Sequence, residues 1–157
     1  AWPLVNLLGI HLFPTVQVFL GLLPVYAVAQ SDAPLSLWDG AAVLLTASAI
    51  LLEQVADRQL LHFRRRDDTR GAVMNEGLWR YSRHPNYLGE LLFWCGLALF
   101  LPGLGAAWWY GLGATSITLM FIFISVPMIE KRHCERRPNY ESEAARGVLF
   151  PKPPTRT

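Results

Sequence analysis

Long apolar runs, separated by short polar stretches, dominate the pattern of residues along the chain. Four runs stand out, at residues 4–29, 35–55, 87–101 and 106–129. A helix needs about 20 residues to cross the hydrocarbon core of a bilayer. The third run is shorter than that, so we expect its helix to be tilted or to start within the headgroup region. The pattern predicts an all-α fold, a polytopic bundle of about four transmembrane helices.

The composition and the placement of charge agree with this pattern. The chain is 52% hydrophobic and has a mean hydropathy of +0.26, which is high for a soluble domain of 157 residues. Its 14 Lys and Arg residues all fall within residues 58–83 and 131–156. The positive-inside rule places both basic segments in the cytoplasm and residues 30–39 on the opposite side. We therefore predict a multi-pass integral membrane protein in contact with membrane lipids, with no nucleic-acid partner.

The domain organisation follows from the same runs. Residues 1–151 are predicted to form a single transmembrane domain, and residues 152–157 a disordered tail. Because the chain begins with Ala1 rather than Met, we expect it to be the C-terminal part of a longer protein. Cys95 and Cys134 are far apart in the sequence and exposed to a reducing compartment, so neither a disulfide nor a metal site is predicted.

Polar residues cluster where the apolar runs meet the basic segments. Glu53 and Asp57 share one helix face as the second run ends. Asn86 and Glu90 share another face as the third run begins. A carboxylate that enters an apolar run is costly to bury, so Glu90 requires a partner from elsewhere in the chain. These four side chains are candidates for a functional site.

Arginines are dense around this cluster, with three in succession at residues 64–66. Arginine suits phosphate oxygens, because its charge is permanent and its guanidinium group can bind them bidentately. Trp79, Tyr81 and Tyr87 can stack on a nucleotide base. These residues favour a nucleotide-type cofactor at the membrane surface, and the chain has no glycine-rich phosphate loop with which to bind it.

Simpler interpretations stay open for part of this set. Basic residues beside membrane helices are expected from topology and from attraction to anionic lipid, which accounts for the run at 64–66 without a ligand. Glu53 and Asp57 can pair with Arg58 or Arg64 as salt bridges at the helix end. A non-catalytic membrane fragment that binds anionic lipid is therefore one alternative.

The polar segments also carry several short motifs. They are Gly77-Leu78-Trp79, Ser82-Arg83-His84-Pro85-Asn86-Tyr87-x-Gly89-Glu90, Glu53-x-x-x-Asp57, Arg64, Pro127-x-x-Glu130, Arg137-Pro138-x-Tyr140 and Phe150-Pro151. In these motifs the chain resembles the bacterial members of the steroid 5-alpha-reductase-like membrane family, over roughly residues 50–151. The resemblance implies that the predicted helices match the C-terminal four of a fold with about seven, located in a bacterial inner membrane.

The same resemblance implies an activity. Members of the family use NADPH to reduce a carbon–carbon double bond conjugated to a carbonyl, so we expect a lipophilic enone or sterol-like substrate that enters from the bilayer. In the family, a Glu and a Tyr that act on the substrate carbonyl lie on earlier helices. The catalytic residues are therefore expected upstream of this chain, which would supply mainly the cofactor-binding half of the enzyme.

The resemblance further implies which residues contact the NADPH, and the density of arginine suits its 2′-phosphate. The implied cofactor-binding residues are Glu53, Asp57, Arg64, Tyr81, Arg83, His84, Asn86, Tyr87, Glu90, Glu130, His133 and Arg137.

A second membrane family shares part of the motif. Isoprenylcysteine and phospholipid methyltransferases carry Arg-His-Pro-x-Tyr-x-Gly and bind S-adenosylmethionine. In those enzymes a Glu-Glu pair usually precedes the tail, whereas Glu130 here is followed by Lys131. Asn86 and Glu90 favour the reductase, and S-adenosylmethionine-dependent methyl transfer is the alternative activity.

Overall fold

The computed structural model of the protein describes residues 11–69, 71–137, 139–144 and 147–153. Within these ranges the chain is mainly helical and forms no β-strand. Three helices are long and apolar enough to cross a membrane, and a shorter apolar helix precedes them. The predicted all-α membrane bundle is confirmed. Its α-helices are α1 (Phe13–Gly21), α2 (Leu23–Ala29), α3 (Leu37–Arg65), α4 (Pro85–Ala98), α5 (Leu101–Leu104), α6 (Leu112–Met120), α7 (Val126–Arg136) and α8 (Tyr140–Glu143).

The first apolar run forms the short helices α1 and α2. They are separated at Leu22, and Pro24 lies in the first turn of α2, where its missing backbone N–H breaks no helical hydrogen bond. Together the two helices span Phe13–Ala29, which is shorter than the other apolar helices. The start of the predicted run, residues 4–10, lies outside the described residues.

Helix α3 is a continuous helix of 29 residues. It begins after Ser36, whose backbone N–H and hydroxyl both donate to Asp39 Oδ2, at 2.6 and 2.7 Å. Such a contact satisfies a free donor at the start of a helix. The helix continues past the apolar run at 35–55 and ends at Arg65, before a 3₁₀ turn at Asp67–Thr69. It therefore carries its last basic residues beyond the apolar region on a rigid element.

Helices α3 and α4 make the most extensive contact among the described elements. Ala42, Ala49 and Ala56 recur every seven residues on α3, and all three are buried. Gly89 of α4 is so near that a Cβ atom there would lie 2.9 Å from the Cβ atom of Glu53. In a bilayer, small residues allow helix backbones to approach and pack closely. This approach brings the polar ends of both helices together.

The third long apolar helix spans Trp108–Arg136. It begins with a 3₁₀ turn at Trp108–Gly111 and continues as α6 and α7, which are joined by a π-helical turn at Phe121–Ser125. Buried Gln17 of α1 accepts a hydrogen bond from the Ser116 hydroxyl of α6 at 2.7 Å, which satisfies a polar group within the membrane. The helix extends beyond the apolar run at 106–129, and its last turns place Glu130 beside the start of α4.

After α7 the chain folds back against the segment that precedes α4. Residues 147–153 lie there, and Ser82 and Gly147 form an isolated parallel β-bridge. Leu149 is buried in a hydrophobic cluster with side chains of α4 and α7. The end of the predicted tail, residues 154–157, lies outside the described residues. The last described segment of the chain is thus part of the packed structure.

Candidate functional site

A pocket of about 550 Å³ opens where the end of α3, the start of α4 and the end of α7 converge. The loop at residues 71–74 forms one side of it. Arg137 Nη1 donates a hydrogen bond to the Ala72 carbonyl at 3.1 Å and ties this loop to the end of α7. The pocket therefore lies at the polar end of the bundle, where the two basic segments meet.

Positive charge dominates the lining of this pocket. Five arginines line it, and no Asp or Glu does among the described residues. The arginines come from both basic segments, which are distant in the sequence. Permanent cations around a concave surface focus the electric field and attract anions. The five residues are Arg64, Arg83, Arg132, Arg136 and Arg137.

Glu130 of α7 organises three side chains at the pocket wall. Its Oε2 accepts a hydrogen bond from Arg83 Nη1 at 2.5 Å. Its Oε1 lies 2.7 Å from His84 Nε2 and accepts a hydrogen bond from the Tyr140 hydroxyl at 2.9 Å. One carboxylate thus contacts three lining residues, of which two precede α4 and the third begins α8.

Burial sets the protonation of two of these side chains. Burial lowers the pKa of His84, and it outweighs the opposite effect of the Glu130 carboxylate. His84 is therefore neutral at pH 7 and donates its Nε2–H to Glu130, because a carboxylate is only an acceptor. Burial, together with the hydrogen bond to Glu130, raises the pKa of the Tyr140 phenol. Tyr140 therefore stays protonated and donates to the same carboxylate.

Ring contacts also hold Arg83, His84 and Tyr140 in place. The His84 and Tyr87 rings stack with centroids 5.4 Å apart and planes inclined by 14°. The His133 and Tyr140 rings meet edge to face at 4.9 Å. The Arg83 guanidinium lies over the Tyr140 ring, 5.4 Å from its centroid. Hydrogen bonds and ring contacts together preorganise this wall of the pocket.

Two buried polar atoms at the pocket have no hydrogen-bond partner among the described residues. They are Asn86 Oδ1 and His133 Nδ1. Asn86 is held by its amide nitrogen, which donates to Asp57 Oδ1 at 3.1 Å. Leaving a buried polar atom unpaired costs about 1–3 kcal/mol. Because both atoms are buried, a ligand in the pocket reaches them only if these side chains rotate.

The pocket brings together most of the predicted site residues. Asp57 and Glu130 do not line it but are hydrogen-bonded to residues that do. Glu53, Tyr81 and Glu90 do not line it. The predicted residues that line the pocket are Arg64, Arg83, His84, Asn86, Tyr87, His133 and Arg137.

The three predicted residues that neither line the pocket nor bond to its lining are Glu53, Glu90 and Tyr81. Glu53 and Glu90 are half-buried at the contact between α3 and α4, close enough for their charges to interact. The Tyr81 side chain is 46% exposed, and its backbone carbonyl accepts the N–H of Lys152 at 2.9 Å. None of these side chains faces the pocket in the structure.

Several lining residues are not among the twelve cofactor-binding residues that the resemblance implies. Arg132 and Arg136 lie one helical turn apart at the end of α7, so their spacing was a usable signal. Tyr140 follows the helix by a few residues and reaches the site only because the chain turns there. The loop at residues 71–74 carries no recognisable motif, and its place in the site depends on tertiary packing.

Comparisons with known proteins identify a family without an assigned activity. An uncharacterized protein of Schizosaccharomyces pombe, C594.04c, is 29% identical to the chain over 186 residues, an alignment that covers 96% of the chain and 50% of that relative. The chain therefore spans about half the length of the curated relative that it matches. No solved structure matches it significantly. The DUF1295 family, described as proteins of unknown function, matches residues 1–146, and the chain belongs to that family.

Proposed function

We propose that this chain is the cofactor-binding half of a membrane-embedded, NADPH-dependent reductase. Its substrate is a lipophilic enone or sterol-like molecule whose carbon–carbon double bond is reduced. The observation that carries the proposal is the arginine-lined pocket at the polar end of the bundle. NADPH carries a pyrophosphate and a 2′-phosphate, and arginine binds phosphate oxygens with permanent charge and bidentate geometry.

The polar atoms of the pocket fit such a cofactor. Arg64, Arg132 and Arg136 offer guanidinium donors to its phosphates. Asn86 and His133 line the same pocket and carry polar groups that suit the amide and hydroxyl groups of the cofactor. When bound, NADPH supplies the hydride for the reduction.

The chain's own residues act in this proposal by binding and orientation. Glu130 holds Arg83 and His84 in place, and Tyr87 stacks on the His84 ring. Because the pKa of His84 is lowered by burial, the ring adds no charge to the site at neutral pH. The acid that polarises the substrate carbonyl is assigned to helices upstream of this chain.

A thermal-shift titration of the detergent-purified protein tests the cofactor. A ligand that binds only the folded protein raises the melting temperature as its concentration passes the dissociation constant. We expect NADPH to raise it at lower concentrations than NADH, because only NADPH carries the 2′-phosphate. S-adenosylmethionine is titrated in parallel. A shift with S-adenosylmethionine and none with NADPH would replace the proposal by a methyltransferase.

Paired variants test the site. Arg64 lines the pocket and Arg65 does not, so Arg64→Ala and Arg65→Ala remove the same charge from adjacent positions. Loss of one charge-assisted hydrogen bond should weaken NADPH binding by about tenfold or more in Arg64→Ala. Arg65→Ala should change it by less than about twofold. Equal losses in both variants would indicate general attraction of anions to a basic surface and would refute the site.

The Asn86 position has its own matched control. Asn86→Ala removes the buried Oδ1 atom, whereas Asn139→Ala removes the same group from an exposed position. We expect NADPH affinity to fall in the first variant only. Unchanged affinity in Asn86→Ala would remove Asn86 from the binding site.

A further inference from the structure

We infer that residues 147–152 form a C-terminal clasp that positions the Arg83–His84 pair in the pocket, with Ser82 and Gly147 as the positioning residues. Neither residue lines the pocket, so neither can contact a ligand there. Their role is to fix the backbone of Arg83 and His84, and so the positions of those two side chains. The inference rests on the proposed function and extends it, because it names the segment that positions two pocket residues for the anionic cofactor.

Backbone hydrogen bonds join the clasp to the strand-like segment before α4. The Arg83 N–H donates to the Gly147 carbonyl at 2.7 Å, and the Lys152 N–H donates to the Tyr81 carbonyl at 2.9 Å. The two bonds run in opposite directions and flank Ser82. The backbone of Arg83 is therefore fixed by the clasp, while its side chain is fixed by Glu130.

The Ser82 side chain completes the connection. Ser82 is 1% exposed, and its hydroxyl donates to the Leu149 carbonyl at 2.7 Å. The same oxygen accepts the His84 N–H at 3.2 Å. A single buried hydroxyl thus links the clasp to the backbone of His84, the residue after which α4 begins. Alanine at this position removes both bonds and leaves buried groups unpaired.

Two features of the clasp fix its position. Leu149 is buried with Leu88, Leu91 and Val126, so hydrophobic packing anchors the clasp to α4 and α7. Gly147 has no room for a side chain: a Cβ atom there would lie 2.5 Å from the Tyr81 carbonyl oxygen and 2.9 Å from the Lys152 nitrogen, and it would overlap the Phe150 carbonyl oxygen. These neighbours are backbone atoms, so a larger residue must displace the clasp.

The first test measures NADPH affinity of the full chain in detergent. Ser82→Ala removes two buried hydrogen bonds and Gly147→Ala displaces the clasp, and each should weaken binding by about tenfold or more. Val148→Ala shortens an apolar side chain of the same clasp that is 38% exposed, and it should leave the affinity within about twofold. Wild-type affinity in Ser82→Ala would overturn the inference. Ser82→Ala is the milder variant and decides the matter if Gly147→Ala does not fold.

A double-mutant cycle separates positioning from general loss of structure. If Ser82 acts through the Arg83–His84 pair, Ser82→Ala should weaken binding much less when Arg83 is already replaced by Ala than it does in the wild type. Losses that multiply in the double variant would show that Ser82 acts on binding independently of Arg83, and would refute the inference.

A measurement without ligand keeps the inference testable if NADPH does not bind. Burial holds the pKa of His84 below its ordinary value. Nuclear magnetic resonance can follow the ring in protein labelled at its four histidines, with His84→Gln to assign the signal. In Ser82→Ala the pKa of His84 should move up toward the ordinary value, and in Val148→Ala it should not move. An unchanged His84 pKa in Ser82→Ala would overturn the clasp, whereas absence of NADPH binding to the wild type would overturn only the proposed function.

Discussion

Glu130→Gln is the sharpest test of how the site is held together. The Glu130 carboxylate accepts hydrogen bonds from Arg83, His84 and Tyr140. An amide of the same shape keeps one acceptor oxygen and turns the other into a donor. Either Arg83 then faces a donor, or His84 and Tyr140 do. The substitution must therefore break or reverse at least one bond of this group, and it removes the negative charge that faces Arg83.

The structure sets the size of the effect. The Arg83 and Glu130 side chains are only 13% and 15% exposed, so water screens the pair weakly. A hydrogen bond to a charged group contributes about 1.5–3 kcal/mol, and removing one partner of a buried pair costs about 3–5 kcal/mol. We expect Glu130→Gln to lower the free energy of unfolding by about 3 kcal/mol. For a chain of this length, that corresponds to a fall in melting temperature of about 6–12 °C.

Glu135→Gln is the matched control. It makes the same chemical change on the same helix, at a side chain that is 63% exposed and 3.9 Å from Lys131. Exposed pairs of this kind contribute little, so the melting temperature should change by less than about 2 °C. Thermal unfolding in one detergent compares both variants with the wild type. If Glu130→Gln melts within about 2 °C of the wild type, the bonds around Glu130 do not stabilise the fold as argued.

Two further predictions concern pH and packing. Because burial favours neutral His84 and lowers its pKa, the stability that it contributes is present above about pH 6.5 and is lost as the pH falls through its folded-state value. Between pH 7.5 and 5.5 the wild type should lose more unfolding free energy than His84→Gln, by up to about 1.4 kcal/mol per pH unit, and parallel pH curves would contradict this. Gly89→Ala should destabilise the protein by about 1–3 kcal/mol, because its Cβ atom would lie 2.9 Å from the backbone nitrogen of Glu53. Gly40→Ala is the control: apart from its own helical backbone and chain neighbours, its Cβ atom would meet nothing within 4 Å, so stability should stay equal or rise.

The fold could be predicted from the sequence because long apolar runs permit little except membrane helices. The apolar runs alone do not set the helix ends, since helical hydrogen bonds continue where hydrophobicity stops. Helix α3 extends to Arg65, ten residues beyond its apolar run at 35–55. The third run, at 87–101, was shorter than the helical segment Pro85–Leu104 that contains it. The extra turns matter because they carry the charged residues of the site.

The site was predictable where it depends on helix periodicity and on a recognisable motif. Asn86 and His84 belong to one short motif, and both line the pocket. How far each polar side chain lies from the pocket along its helix was not predictable, because that distance depends on where α3 and α4 cross. Glu90, one turn beyond Asn86, lies beside Glu53 at that crossing and not at the pocket. Tyr140 belongs to the motif Arg137-Pro138-x-Tyr140, but its contact with Glu130 depends on the turn after α7, which the motif does not specify.

The clasp has a consequence for the order in which the protein is made. The hydrogen bond between Ser82 and Leu149 joins residues 67 positions apart, and all the described membrane helices precede residue 147. Chains emerge from the ribosome N-terminus first, at roughly 5–20 residues per second. The helices can therefore enter the bilayer before Arg83 and His84 are held in their final places. The clasp itself can form only after residue 149 has been synthesised, and in the proposed function a nascent chain reaches its full affinity for NADPH only at that stage.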